Sequence, residues 1–160
     1  RLMGVDIDGE IKLNDYFKYN HQFSIIKGKD ITKKDALINM PAASTRNAIA
    51  YTNKKLNNLN LRLQSEYVFR KNEFPENNFE VFVPETETLE IVDVSTPPDA
   101  YHLLGFNSSI DYKLSKKSIL TIGFGVSNIF NTNYRNYLNR LRYYANDLGR
   151  DYSINLKIKY

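Results

Sequence analysis

The sequence predicts an all-β fold, an antiparallel transmembrane β-barrel segment of about six to seven strands that belongs to a larger barrel. Three observations carry this prediction. Apolar and polar residues alternate in seven separate segments, as in strands that present two different faces. The connections between these segments are alternately short and long. No run of about 18 apolar residues occurs, which excludes a transmembrane helix but not barrel strands, because their alternation averages to a polar composition.

Six segments alternate clearly and a seventh, over residues 45–52, alternates weakly around Ile49 and Tyr51. The apolar positions of the six are Met3, Val5, Ile7, Ile11 and Leu13; Phe17, Tyr19, Phe23 and Ile25; Leu59, Leu61, Leu63, Tyr67 and Phe69; Leu104, Phe106, Ile110, Tyr112 and Leu114; Leu120, Ile122, Phe124 and Val126; and Tyr152, Ile154, Leu156, Ile158 and Tyr160. In a barrel wall these side chains face lipid, so we expect them to be accessible and not part of a core.

The intervening polar positions predict the opposite face. We expect them to point together to a common interior, where their mixed charges suit a docked domain better than an ion filter of one sign. The charged residues of this set are Asp6, Asp8, Glu10, Arg62, Glu66, Asp111, Lys157 and Lys159.

The connections between the segments sort by length. Short ones lie at residues 14–15, 53–58 and 115–117, and long ones at residues 29–44, 71–100 and 131–149. In an antiparallel meander this order puts every tight turn at one end of the sheet and every large loop at the other. Outer-membrane barrels have this asymmetry, with short periplasmic turns and long extracellular loops.

The dimensions agree with a membrane wall. The eight steps from Tyr152 to Tyr160 span roughly 26 Å along a strand. With a tilt of about 40° this projects to roughly 20 Å, close to the apolar band of about 25 Å in such barrels. Aromatic residues should then mark the two boundaries, with Tyr160, Tyr112, Tyr51 and Phe17 at the turn end and Tyr152 and Phe69 at the loop end.

Composition excludes several functions. The chain has no cysteine and a net charge of +4 without a clustered basic face, which argues against thiol chemistry and nucleic-acid binding. His21 and His102 stand on separate segments without metal-spaced partners, and no nucleophile-elbow, phosphate-loop or zincin motif is present. We therefore predict no catalytic residue, no metal site and no cofactor. The sequence opens at Arg1 in mid-strand pattern, so we interpret it as a piece of a longer protein.

The loop over residues 131–149 is the best candidate for ligand binding. Tyrosine offers an amphipathic surface with few rotors, and arginine recognises carboxylates through two parallel hydrogen bonds. The alternative, which the sequence leaves open, is that these residues only pack the loop over the barrel mouth. The near-helical spacing of Leu138, Leu141, Ala145 and Leu148 also predicts a short helix. The candidate residues are Tyr134, Arg135, Tyr137, Arg140, Arg142, Tyr143 and Tyr144.

The last third of the chain resembles the C-terminal end of TonB-dependent outer-membrane receptors. The resemblance rests on Asn128, Ile129, Phe130 and Asn131, on Tyr134-Arg135, on Gly149-Arg150, and on a final strand that ends with an aromatic residue. It implies that residues 1–160 are the C-terminal part of a 22-stranded barrel in the outer membrane of a Gram-negative bacterium. An N-terminal plug, absent from this sequence, would contact the TonB complex and help to import a ferric siderophore, cobalamin, glycan or similar nutrient.

The final strand has a second interpretation. Its apolar positions and terminal aromatic residue resemble the signal that the barrel assembly machinery recognises, although they also face lipid. The residues are Tyr152, Ile154, Leu156, Ile158 and Tyr160. Two other functions remain possible for the whole chain. One is a passive porin or oligomeric channel, and the other is a secreted β-sandwich adhesin, whose strands would bury one face against a second sheet.

Overall fold

A computed structural model describes residues 1–160, and more than half of them lie in strands. The elements in chain order are β1 (Leu2–Lys12), β2 (Phe17–Asp30), β3 (Asp35–Ala36), β4 (Ser44–Asn53), β5 (Leu59–Val68), β6 (Phe79–Val83), β7 (Thr88–Val92), β8 (Tyr101–Lys113), β9 (Ile119–Ser127), a 3-10 helix η1 (Arg140–Tyr143) and β10 (Asp151–Lys159). No helix is long and apolar enough to cross a membrane.

Seven long strands form one antiparallel sheet in the order β1-β2-β4-β5-β8-β9-β10, and the short β3 adds to β2. The sheet is open, because β1 and β10 each pair with one neighbour only. Only nine of the 160 residues are buried, so no second layer covers either face. The predicted all-β antiparallel fold is confirmed, and the weak segment 45–52 is a full strand, β4.

The two faces of the sheet differ in polarity. Side chains directly opposite one another across a ladder point to the same face. One such row joins Glu10, Asn20, Ala48, Gln64 and Gly105, and the charged residues predicted for the interior all lie on this polar face. The other face carries the apolar positions. Among Leu120, Ile122, Phe124, Tyr152, Ile154, Leu156 and Ile158 none is buried, and Ile154 is 74% exposed.

The connections follow the predicted order. The turns after β1, β4 and β8 are short and lie at one end of the sheet, which we call the turn end. Asn57 and Asn58 both have positive φ in the turn after β4, a conformation that asparagine tolerates better than most residues. The three long connections lie at the opposite, loop end. One of them was predicted as loop alone but contains the β6–β7 hairpin, which forms its own two-stranded sheet.

The strands are staggered along the sheet. The row through Phe17, the first residue of β2, reaches Ile154 on β10, five residues before that strand ends at Lys159. Five residues over five strand steps is one residue per step. With a rise of about 3.3 Å per residue and about 4.8 Å between strands, this stagger corresponds to a tilt of about 35°.

Candidate functional site at the loop end

The loop between β9 and β10 (residues 128–150) is anchored at both ends by two asparagine side chains. Asn128 has a φ of 47°, is 4% exposed, and its side chain accepts the Thr132 N–H at 2.8 Å and donates to the Thr132 carbonyl at 2.9 Å. Asn131 has a φ of 53°, and its Oδ1 accepts the Arg150 N–H at 2.9 Å. The residues of the terminal motif therefore close the base of this loop.

The centre of the loop is built around the Asp147 carboxylate. Its Oδ2 accepts the Asn136 N–H at 2.6 Å and its Oδ1 accepts the Asn139 Nδ2 at 2.7 Å. Asn139 is also the N-cap of η1, since its Oδ1 accepts the Leu141 N–H at 2.9 Å. The spacing of Leu138, Leu141, Ala145 and Leu148 predicted a short helix here, and the structure has a 3-10 helix four residues long that includes only Leu141 of these.

Arg142 joins this loop to the β5–β8 loop. Its side chain is 7% exposed, and the guanidinium donates to the Tyr137 carbonyl at 2.5 Å and to the Val94 carbonyl at 3.1 Å. The Tyr137 and Tyr143 rings lie 4.2 and 4.8 Å from the guanidinium carbon, and the Tyr143 hydroxyl also donates to Val94. Most N–H donors of the Arg142 guanidinium are therefore used within the chain. This residue packs the two loops together, which is the alternative role that the sequence left open.

Two cavities lie on either side of Arg142. One of about 530 Å³ has Arg135, Tyr144 and Asp93 in its lining, and one of about 230 Å³ has Tyr137 and Arg140. We call the larger one the loop cavity. Tyr144 is 85% exposed at its rim, and Arg135 is exposed with its Nε bonded to Asn146 at 2.9 Å. Aromatic surface beside a free guanidinium edge and one carboxylate suits a polar ligand of moderate size.

The structure brings six of the seven candidate residues around these cavities. The seventh, Tyr134, lies deeper and packs on the Tyr101 ring, with the ring centroids 4.6 Å apart. Burial raises the pKa of the Tyr134 phenol above its usual range. Asp93, Val94 and Thr96, which directly follow the β6–β7 hairpin, also line the loop cavity and were not among the predicted site residues. The apolar runs on either side of Pro84 and Glu85 are the overlooked sequence signal for this hairpin.

The candidate assembly signal lies on the edge strand β10. Its apolar residues face the uncovered side of the sheet opposite Val126, Phe124, Ile122 and Leu120. Tyr160 follows the end of β10 and is fully exposed. These residues are therefore accessible along the whole strand.

A polar cluster interrupts the apolar face between β2 and β4. The Asn47 Oδ1 accepts the Tyr19 hydroxyl at 2.7 Å and lies 2.8 Å from the His21 Nδ1. Gly9, opposite His21, leaves open space beside the cluster. His102 lies apart on β8, with its Nε2 2.7 Å from the Ser65 hydroxyl. No group of three or more metal-ligating side chains is present in residues 1–160.

The comparisons with known proteins concern the fold. No family model and no curated protein matches the sequence. Among solved structures, the chain is similar to the copper transporter OprC, with a TM-score of 0.76 and 15% sequence identity over 99% of this chain. The match covers 23% of that transporter, so this chain spans less than a quarter of its length. At this identity the likeness shows that the open antiparallel sheet is built like one portion of the transporter.

Proposed function

We propose that this chain forms part of the wall and the extracellular loops of an outer-membrane importer that takes up a scarce nutrient with energy from TonB. The observation that carries the proposal is the single-layer sheet whose apolar face is uncovered along every strand. A soluble protein rarely leaves so large an apolar surface in water, whereas a barrel wall must expose it to lipid. The similarity of fold to a transporter and the terminal motif support the same assignment.

The orientation follows from the connections. We place the short turns in the periplasm and the three long loops outside the cell, as in other outer-membrane barrels. At a tilt of about 35° each residue rises about 2.7 Å along the membrane normal. The ten steps along β2 from Phe17 to Lys27 then cover about 27 Å, which matches an apolar band of about 25 Å. The Phe17 and Tyr51 rings, 5.0 Å apart, lie at the periplasmic boundary.

Further strands must complete the barrel. In lipid, an edge strand of ten residues leaves about ten backbone groups without partners, at several kcal/mol each. The sum over β1 and β10 is tens of kcal/mol, above the total stability of a typical domain, about 5–15 kcal/mol. We therefore propose that both edges pair with other strands of the same receptor. The interior is filled by a plug that faces the mixed charges of the polar face and contacts the TonB complex.

We propose the loop cavity as part of the binding site for the nutrient. Arg135 and Tyr144 are the exposed candidates at its rim, and Arg142 holds the two loops that form its walls. The chemistry suits a ligand with carboxylate or hydroxyl groups and some apolar surface, such as a ferric siderophore, cobalamin or a glycan. The residues Tyr152, Ile154, Leu156, Ile158 and Tyr160 would serve the barrel assembly machinery before they contact lipid.

Growth of a deletion strain tests the proposal. The strain is complemented with the full-length protein and grown where a ferric siderophore, cobalamin or a glycan is limiting. We expect growth on one nutrient class to need both the protein and a working TonB gene. An Arg135→Ala/Tyr144→Ala variant should lose this growth while reaching the outer membrane at the normal level, and Lys116→Ala/Lys117→Ala in a periplasmic turn is the matched control. Uptake that is independent of TonB would instead indicate a passive porin. Recovery of the full-length protein in the soluble fraction would indicate a β-sandwich adhesin.

A further inference from the structure

A slot opens in the apolar face near the loop end of the sheet. Strand β4 begins at Ser44, opposite Ser24, so the outer part of β2 has no β4 partner. Residues 69–73 run along the far side of the gap, and the cavity between them and β2 has a volume of about 350 Å³. Phe23, Ile25 and Phe69 line it. The slot therefore has the volume for part of an alkyl chain and an apolar wall along it.

Lysines surround the outer part of the slot. Lys27 and Lys71 line it, and Lys29 lies two residues further along the same face of β2. Glu73 is the one carboxylate of the lining, and it binds Lys27 at 2.5 Å. Three ammonium groups against one carboxylate leave a charge of about +2, since Arg70 is paired with Asp99 at 3.3 Å. Neither Lys29 nor Lys71 has an ion-pair partner.

The residues of the slot lie at two different depths in the membrane. In the orientation proposed above, Phe23 lies six residues above Phe17, at about 16 Å, within an apolar band of about 25 Å. Lys27 lies ten residues above Phe17, at about 27 Å, where lipid headgroups begin. The slot therefore presents an apolar wall at the depth of acyl chains and an excess of positive charge at the depth of phosphates.

We propose that this slot binds a phosphate-bearing lipid of the outer leaflet, with its phosphate between the lysines and an acyl chain along Phe23, Ile25 and Phe69. Phosphate oxygens accept charge-assisted hydrogen bonds from ammonium groups, and basic sites at this depth favour anionic headgroups. Lys71 adds a reason of its own. Burial lowers the pKa of its ammonium, and the nearby Glu73 carboxylate that opposes this shift is already paired with Lys27, so a phosphate would add the counter-charge that Lys71 lacks. This inference rests on the proposed function only for the embedding and orientation of the sheet.

Lipid titration of the full-length protein tests the site. The protein is purified in detergent and titrated with diphosphoryl lipid A, with phosphatidylethanolamine and inorganic phosphate as comparison probes, and binding is followed by native mass spectrometry. We expect Lys27→Gln/Lys71→Gln to raise the apparent Kd for lipid A about tenfold, because two of the lysines that hold the phosphate are lost. The control Lys54→Gln/Lys55→Gln removes the same charge at the turn end and should leave the Kd unchanged.

The outcomes separate the lipid site from the importer. Binding of lipid A that is equal in the wild type and the slot variant would overturn the site, as would equal weakening in the control. Binding of inorganic phosphate as tight as that of lipid A would overturn the lipid assignment and indicate a site for free phosphate. In each case the protein would still fractionate with the outer membrane, whereas failure of the proposed function would appear as loss of that fractionation.

Discussion

Asn131 Oδ1 occupies the space that a side chain at Gly149 would need. A Cβ at Gly149 would lie 2.6 Å from that oxygen, which accepts the Arg150 N–H at 2.9 Å. The two residues stand at opposite ends of the candidate binding loop. This contact links the Asn128–Asn131 and Gly149-Arg150 parts of the terminal motif, because the Asn131 side chain occupies the space beside Gly149 from which it reaches the Arg150 N–H.

The first prediction concerns this contact. Gly149→Ala should destabilise the base of the loop by about 1–3 kcal/mol, because the new methyl group must displace a hydrogen-bonded side chain. Thermal unfolding of the full-length protein in detergent measures the change. Gly9→Ala is the control, since a Cβ at Gly9 would meet nothing within 4 Å. Equal melting temperatures for both variants would contradict the proposed role of Asn131.

A second prediction concerns the two faces of β10. Leu156→Arg should cost about 2–4 kcal/mol if the apolar face meets lipid near the bilayer centre. Asn155→Arg, one residue away on the polar face, should cost much less. Refolding equilibria in lipid vesicles with the full-length protein give both values. Similar costs for the two variants would mean that the faces are assigned wrongly.

The third prediction concerns the link between the two outer loops. Arg142→Ala should lower the local stability of both loops by about 1.5–3 kcal/mol, because hydrogen bonds from a charged group to two carbonyls are lost. Hydrogen exchange should speed up at residues 137–147 and at residues 92–96. Arg140→Ala removes an exposed arginine from the same helical turn and should leave both segments protected. Faster exchange in only one loop would show that Arg142 does not couple them.

The fourth prediction is a pH dependence at the slot. The Lys27 ammonium holds the pKa of the Glu73 carboxyl below its usual value of 4.5. A depressed carboxyl pKa stabilises the folded segment above about pH 4.5, and this contribution is lost as the pH falls through the lower folded value. A spin label at Asn72→Cys, the only cysteine of the chain, should become more mobile as the pH falls well below 4.5. The same label with Lys27→Gln should be mobile at every pH, and a label whose mobility does not change with pH would contradict the pairing.

Much of the fold could be predicted from the sequence because barrel-like strands have a simple rule. Apolar side chains on one face alternate with polar side chains on the other, so the pattern repeats every two residues. Register and face are therefore specified together. That rule placed Asp6 and Lys159 on the same face although they lie on opposite edges of the sheet. The β6–β7 hairpin was missed because Phe79–Val83 and Thr88–Val92 pair only with each other and stay exposed, and because Phe82 breaks the alternation of β6.

The candidate site was harder to predict than the fold. The seven loop residues were chosen by chemistry, but sequence could not separate Arg142, which is buried by contacts with Val94 from a distant loop, from Arg140, which is exposed. The polar cluster of Tyr19, His21 and Asn47 was also missed. It forms only when β2 and β4 pair and bring Asn47 beside Tyr19 and His21, a contact that the pattern of either strand alone does not show.

The alternation of tight turns and long loops divides the sheet into hairpins joined by long connections. Insertions have different consequences in the two kinds of connection. The turns after β1, β4 and β8 fix the register of three hairpins, so an insertion there would shift apolar residues to the wrong face. An insertion in the loops after β2 or β5, or at the tip of β6–β7, shifts no strand within a hairpin and adds little closure entropy. The long loops can therefore be replaced or lengthened while the sheet keeps the length and tilt of its strands.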